Sequence, residues 1–325
     1  MSQPSRARPL IRPGRLLLLR GLATWGLCLA AAAPAAAGPV VGGAEATAMG
    51  GTTRVSLRST GSVLTAPAVL ALRPRYELQV TGEAGPDSLL GVRAYALDSS
   101  TGPLALGLGY QYAHTVPDTR VEDLPGWLLP DDDLQNESAR TVVGGGLSTS
   151  FGDRRVALGL GFSWLNQATR YTDNENWFEG SVSVAGRIGS EEELVLSAVA
   201  DNLLTPGHED TPLTFAGGAT FRPAPPIALA SQLDVLTGTF EGPAEVGFGV
   251  GLEGLIAETV ALRGGFHRDP DRDSDLATAG VGAFTDAMSV DYAAELVVGH
   301  AGRVPAGWDD GKLRHQHSLS LMLKF

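Results

Sequence analysis

Carboxylates and imidazoles at short, regular spacing are the first residues of this chain to test for chemistry. Asp269, Asp271, Asp273 and Asp275 alternate through one stretch, the spacing at which an EF-hand loop presents its oxygens to calcium. Such a loop needs glycine where Ser274 stands and a bidentate glutamate where Gly280 stands, so a solvated acidic loop is expected instead. Asp131-Asp132-Asp133 reads the same way, with a loose cation site near lipopolysaccharide as its second reading. His315 and His317 share a strand face two residues apart near the chain's end, which suits the membrane interface better than a metal. Covalent catalysis would need a serine, a histidine and an acid committed to one another. No Gly-x-Ser-x-Gly element is present, and Ser289 with His300 is a pairing that any large sheet offers. The expectation is no enzyme, no catalytic residue, no cofactor and no metal.

The only cysteine, Cys28, lies in a leader. Arg6, Arg8, Arg12, Arg15 and Arg20 form a basic region, Leu22 to Ala33 an apolar run, and Ala35-Ala36-Ala37 a small-residue cleavage site before Gly38. Residues 1–37 therefore read as a secretory signal peptide. Removing its five arginines takes the net charge from −12 to −17, with 19 bases against 36 acids, which argues against nucleic acid as a partner. Without cysteine the mature chain has no disulfide framework and no thiolate chemistry. It also has no apolar run of the roughly 18 residues a membrane helix requires.

What the mature chain does have is alternation. Leu104, Leu106, Leu108, Tyr110 and Tyr112 fall on one face of a strand, and Ala105, Gly107, Gly109 and Gln111 on the other. Val156 to Trp164 and Val246 to Glu253 repeat the design. A soluble sandwich would put charge on the second face, whereas small residues suit a crowded barrel interior with large side chains turned to lipid. Every second joint is short (Asp98 to Gly102, Gly152 to Arg154, Ala257-Glu258), and most of those between are long and polar, such as His114 to Glu137 and Gly299 to Lys312. That rhythm belongs to transmembrane barrels. The expectation is an all-β, antiparallel up-and-down β-barrel of about 14 strands over 75–325. The last strand places Leu319, Leu321, Leu323 and Phe325 on one face and Ser318, Ser320 and Lys324 on the other, with Met322 the apolar exception. This ending resembles the C-terminal signal of bacterial outer-membrane β-barrels. It implies closure against the first strand, recognition by the barrel assembly machinery and a place in outer-membrane lipid.

The same register turns Glu179, Arg187, Asp234, Glu253, Arg263, Asp291 and Glu295 inward. Inward charge can line a channel or hold a plug, and Arg263, with its planar fork, is the expected anchor. Residues 38–74 do not alternate. They contain Ala48-Met49-Gly50-Gly51-Thr52 and the element Ala66, Pro67, Ala68, Val69, Leu70. These resemble the N-terminal segment of the FadL-like long-chain fatty-acid transporter superfamily, including its PorV-like branch, although the usual element reads Asn-Pro-Ala-Gly-Leu. Asp201-Asn202-Leu203, Leu262 to Phe266 and Val290-Asp291-Tyr292 resemble strand endings of that branch. The resemblance implies a fourteen-stranded barrel with 38–74 folded into the lumen as a hatch. It also implies binding or transport of a hydrophobic, fatty-acid-like molecule, with Trp127, Leu128 and Leu129 as part of a greasy outer entrance. The alternative it leaves open is a PorV-like platform for secretion or envelope assembly. A continuous apolar pocket under the loops would favour transport, and a lumen filled by the hatch would favour the platform.

Overall fold

A computed structural model describes residues 42–56, 59–85, 90–115, 138–169, 174–189, 194–205, 213–224, 226–236, 245–269, 274–300 and 315–325. Fourteen strands run through them: β1 (Tyr76–Ala84), β2 (Leu90–Asp98), β3 (Leu104–Thr115), β4 (Ser138–Phe151), β5 (Val156–Thr169), β6 (Glu175–Ile188) and β7 (Leu194–Asp201) form one half. The other half is β8 (Thr214–Ala224), β9 (Ile227–Leu236), β10 (Glu245–Ile256), β11 (Val260–Asp269), β12 (Ser274–Phe284), β13 (Met288–His300) and β14 (His315–Lys324). Each pairs antiparallel with its sequence neighbours, and β1 pairs with β14 to close the barrel. No helix among the described residues is long and apolar enough to cross a membrane.

The alternation read from the sequence becomes the two faces of this wall. Leu104, Leu106 and Leu108 are 60%, 55% and 59% exposed on the outside, while Ala105, Gly107 and Gly109 are buried inside. Closure puts Val80 opposite Leu321 and Leu78 opposite Leu323, both leucines outward, with Met322 buried in the lumen. The Phe325 N–H donates to the Tyr76 carbonyl at 3.0 Å, and their rings meet edge to face at 5.4 Å. No strand edge is then left open, as a wall standing in lipid would require.

The turn between β10 and β11 departs from sequence habit. Ala257 and Glu258 both take positive φ, 51° and 58°, a two-residue reversal that usually goes to Asn-Gly. Right-handed strand twist imposes this geometry, so tertiary closure has overridden local preference. Trp127, Leu128, Leu129 and Asp131–Asp133 lie outside the described residues, as do Asp271 and Asp273.

Candidate functional site

The lumen is the candidate site. Residues 42–56 and 59–72 lie inside it, as a short helix Ala44–Ala48, a 3-10 turn Thr53–Val55, a helical turn Ser62–Thr65 and a 3-10 segment Pro67–Leu72. Gly50 and Gly51 take φ of 67° and 71°, a left-handed pair that turns the chain after the first helix. A side chain at Gly50 would also strike the wall, with the Phe266 carbonyl 2.6 Å from the built Cβ. The Ala-Met-Gly-Gly element thus has a steric cause.

The small lumen residues share that cause. A Cβ added at Gly107 would lie 2.9 Å from Val63 Cγ1, at Gly146 2.7 Å from the Val63 carbonyl, and at Gly251 2.7 Å from Met49 Cα. At Gly280 it would lie 2.5 Å from Ala48 Cβ. The wall is lined with glycine where the hatch backbone passes.

The candidate hatch element is packed deep in this seat. Ala66, Ala68 and Leu70 are fully buried and Val69 is 1% exposed. Pro67 starts the 3-10 segment, where its missing N–H costs nothing. The Ala68 N–H donates to Ser183 Oγ of β6 at 2.9 Å. Leu70 and its neighbours form one apolar cluster with Tyr95, Leu97, Ala105, Ala157 and Val195 of the wall.

The lumen charges divide into pairs. Arg263 donates through Nε to Glu253 Oε2 at 2.9 Å and through Nη1 to Asp291 Oδ1 at 2.6 Å. All three are wall residues with side chains no more than 4% exposed, so Arg263 staples β10, β11 and β13 together. Among hatch residues, Glu45 lies within its electrostatic range. Gly282 leaves room for the staple, since a Cβ there would approach Arg263 Nη1 to 2.7 Å. Glu295 is buried 4.0 Å from His267 Nε2, and Arg187 donates to the Asp153 carbonyl at 2.8 Å. Glu179 accepts from Trp177 Nε1 at 3.3 Å.

Asp234 belongs to the contact that the sequence did not reveal. Its partner is Arg54 of the hatch, whose Nε lies 2.9 Å from Asp234 Oδ1 and whose Nη1 binds Asp201 Oδ2 and the Thr65 carbonyl. The Arg54 N–H donates to Gln232 Oε1 at 3.0 Å, and Ser197 Oγ donates to the Arg54 carbonyl at 2.6 Å. Burial opposes the charge on this guanidinium, but the two carboxylates outweigh it and raise its pKa above the ordinary value. Asp201-Asn202-Leu203 gave a signal at the acid end, and Asn202 takes a left-handed φ of 63° as β7 stops. At the base end, Arg54 sits in a segment with no periodicity to assign its direction.

His315 and His317 face outward. Their rings meet at 4.9 Å, and His317 Nδ1 lies 2.7 Å from the Tyr292 hydroxyl. Among the described residues no group of three or more His, Cys, Asp or Glu side chains is placed to hold a metal. Asp275 of the alternating acids is paired with Arg268 at 3.1 Å.

No family model matches the chain, and no curated protein matches it. Solved structures do. The Ralstonia pickettii toluene transporter TbuX matches at 12% identity and a TM-score of 0.57, over 89% of this chain and 98% of that one. The Pseudomonas putida toluene transporter TodX matches at 11% identity and 0.62, over 87% and 96%. A Pseudomonas aeruginosa FadL homologue matches at 11% and 0.54, over 90% and 98%. The fold is therefore the one these structures share, a closed antiparallel β-barrel, here with an N-terminal segment seated in its lumen. At such identities the likeness speaks for architecture.

Proposed function

We propose that residues 1–37 are removed on export and that the mature chain is an outer-membrane channel for small hydrophobic molecules, closed by its hatch. The observation that carries this reading is the fold correspondence, which spans nearly the full length of two toluene transporters. Solved neighbours give the secretion-platform alternative no support, and the loops that would roof an outer pocket are outside the described residues. The role proposed for the wall is physical: apolar outside, it holds a lumen open across lipid, and the hatch decides when that lumen conducts. Asp234, Glu253, Arg263, Asp291 and Glu295 serve the architecture of the closed state, and no covalent chemistry is assigned to them. The C-terminal strand ending in Phe325 is proposed as the surface read by the barrel assembly machinery.

The test is uptake of radiolabelled toluene by Gram-negative host cells, whose lipopolysaccharide leaflet resists hydrophobic solutes. Cells carrying the full-length protein in the outer membrane should take up toluene at least threefold faster than cells with the empty vector. Equal rates at matched expression would remove the channel reading.

A further inference from the structure

His315 and His317 open β14 at the end of the barrel away from Tyr76 and Phe325, and both face outward. Register fixes what surrounds them. Leu296 of β13 stands opposite His315, while Ala294 of β13 and Ala84 of β1 flank His317 on its two sides. Two alanines leave the second ring open to approach from outside. The carboxylates next along those strands, Glu83 and Glu295, are buried on the lumen side.

The spacing of the two rings is that of a chelate. Side chains two residues apart leave a strand roughly 6.6 Å from one another. These rings have leaned together, with centroids 4.9 Å apart and planes at 65°. A metal–nitrogen bond of about 2.0–2.1 Å puts a ring centroid roughly 3.2 Å from the ion. Two imidazoles meeting at about 90–109° then have centroids about 4.5–5.2 Å apart, which brackets the spacing found.

His317 is also oriented. Its Nδ1 lies 2.7 Å from the Tyr292 hydroxyl, and the two rings stack at 5.9 Å with 18° between their planes. A metal-bound imidazole gives its other N–H to an oxygen, which fixes the tautomer and aims the ligating nitrogen. Tyr292 fills that place at Nδ1, and Nε2 is then the nitrogen for the ion. Ring proximity also separates two kinds of ligand. An anion such as a lipid phosphate calls for both rings protonated, and two positive charges this close repel. A metal ion takes both rings neutral.

We propose that His315 and His317 bind a divalent transition-metal ion on the outward face of the barrel rim, with Tyr292 positioning His317. Spacing in the sequence supplies only a shared face; the ring geometry is what points to a metal. Imidazole suits copper, zinc and nickel and not calcium or magnesium, and copper(II) should be held most tightly. With Glu83 and Glu295 turned inward, water completes the ion's shell. This site does not depend on the channel reading.

The test uses the tag-free mature barrel, purified in detergent, stripped with a chelator and titrated with Cu2+. The wild type should bind one equivalent whose electron paramagnetic resonance spectrum shows coupling to two nitrogens. His315→Ala and His317→Ala should each weaken that binding at least tenfold and abolish the two-nitrogen spectrum, with heat-modified migration of the barrel unchanged. Tyr292→Phe should keep both nitrogens and weaken the affinity roughly tenfold, as loss of such a partner does. Copper held with the same affinity and spectrum by the H315A/H317A double variant would overturn the proposal, leaving the rings as part of the interfacial girdle. A wild type without two-nitrogen copper would overturn it equally. Unchanged affinity in Tyr292→Phe would overturn the positioning role of the tyrosine.

Discussion

Arg54 and Arg263 are both arginines held by two carboxylates inside the same barrel, yet they do opposite work. Arg263 joins wall to wall: Glu253, Asp291 and the arginine itself sit on three strands that backbone hydrogen bonds already hold. Arg54 joins hatch to wall, and no sheet hydrogen bond backs it up. Exposure follows the same split, 2% to 4% for the Arg263 staple against 9% to 14% for the Arg54 tie. A charge pair at a place that never moves can be buried completely, because its desolvation is set once during folding. A pair that ties a separate segment to the wall keeps more exposure, and so loses less hydration on folding.

Substituting each arginine tests this contrast directly. The largest loss is expected for Arg263→Met, which removes the buried partner of Asp291 and leaves Glu253 with Arg222 at 3.6 Å, and should cost about 3–5 kcal/mol. The barrel's own thermal transition should fall, read as loss of heat-modifiable migration at lower temperature. Adding Glu253→Gln and Asp291→Asn should recover most of it. An unchanged transition for the single substitution would remove the staple from the account.

Arg54→Ala comes next and should behave differently. Loss of charged hydrogen bonds there is worth about 1.5–3 kcal/mol, but it should fall on the hatch and spare the wall. Amide exchange over Ala44–Val55 should accelerate while the strands keep their protection and the barrel transition stays put. Arg54→Lys should restore little, since an ammonium cannot fork to Asp201 and Asp234 together. A matched drop in barrel stability would erase the distinction between hatch tie and wall staple.

How much of this was legible follows from periodicity. The wall was open to reading because each strand repeats with period two, so Leu104 to Tyr112 and Leu319 to Phe325 declare their faces residue by residue. The lumen position of Asp234, Glu253 and Asp291 came from the same register. Partners were harder. Arg263 read as a hatch anchor because sequence shows direction but not depth; its hydrogen bonds go to Glu253 of β10 and Asp291 of β13, with Glu45 of the hatch in electrostatic range. Arg54 escaped because the hatch is a string of short turns with no repeat that could tell inward from outward. The small inner residues were read as the lining of a crowded interior, and the structure identifies part of what crowds it, hatch backbone against Gly251 and Gly265.

That cause gives a finer test of hatch against wall. Gly107→Ala pushes a methyl toward Val63 and Leu70, and overpacking at such a contact costs about 1–2 kcal/mol. Gly82 faces outward, and nothing lies within 4 Å of a Cβ built there. Gly82→Ala should be neutral or slightly stabilising, because it removes only backbone freedom from the unfolded chain. Faster exchange over 62–72 in the first variant alone would tie lumen glycine to the hatch. Equal behaviour of the two variants would return those glycines to barrel geometry.

The smallest effect belongs to the wall by itself. Phe325 is 75% exposed, so little of its surface is buried against protein, and its contact is the edge-to-face ring of Tyr76 at 5.4 Å. Phe325→Ala removes that pairing, worth about 0.5–1.5 kcal/mol, and keeps the backbone bond to the Tyr76 carbonyl. The folded barrel should therefore melt only slightly earlier, with hatch exchange unchanged. Tyr76→Leu should match it, and the double variant should lose no more than either alone, since both remove one ring pair. Additive losses in that cycle would mean that the two rings act separately on lipid, and the seam between β1 and β14 would then rest on its hydrogen bonds alone.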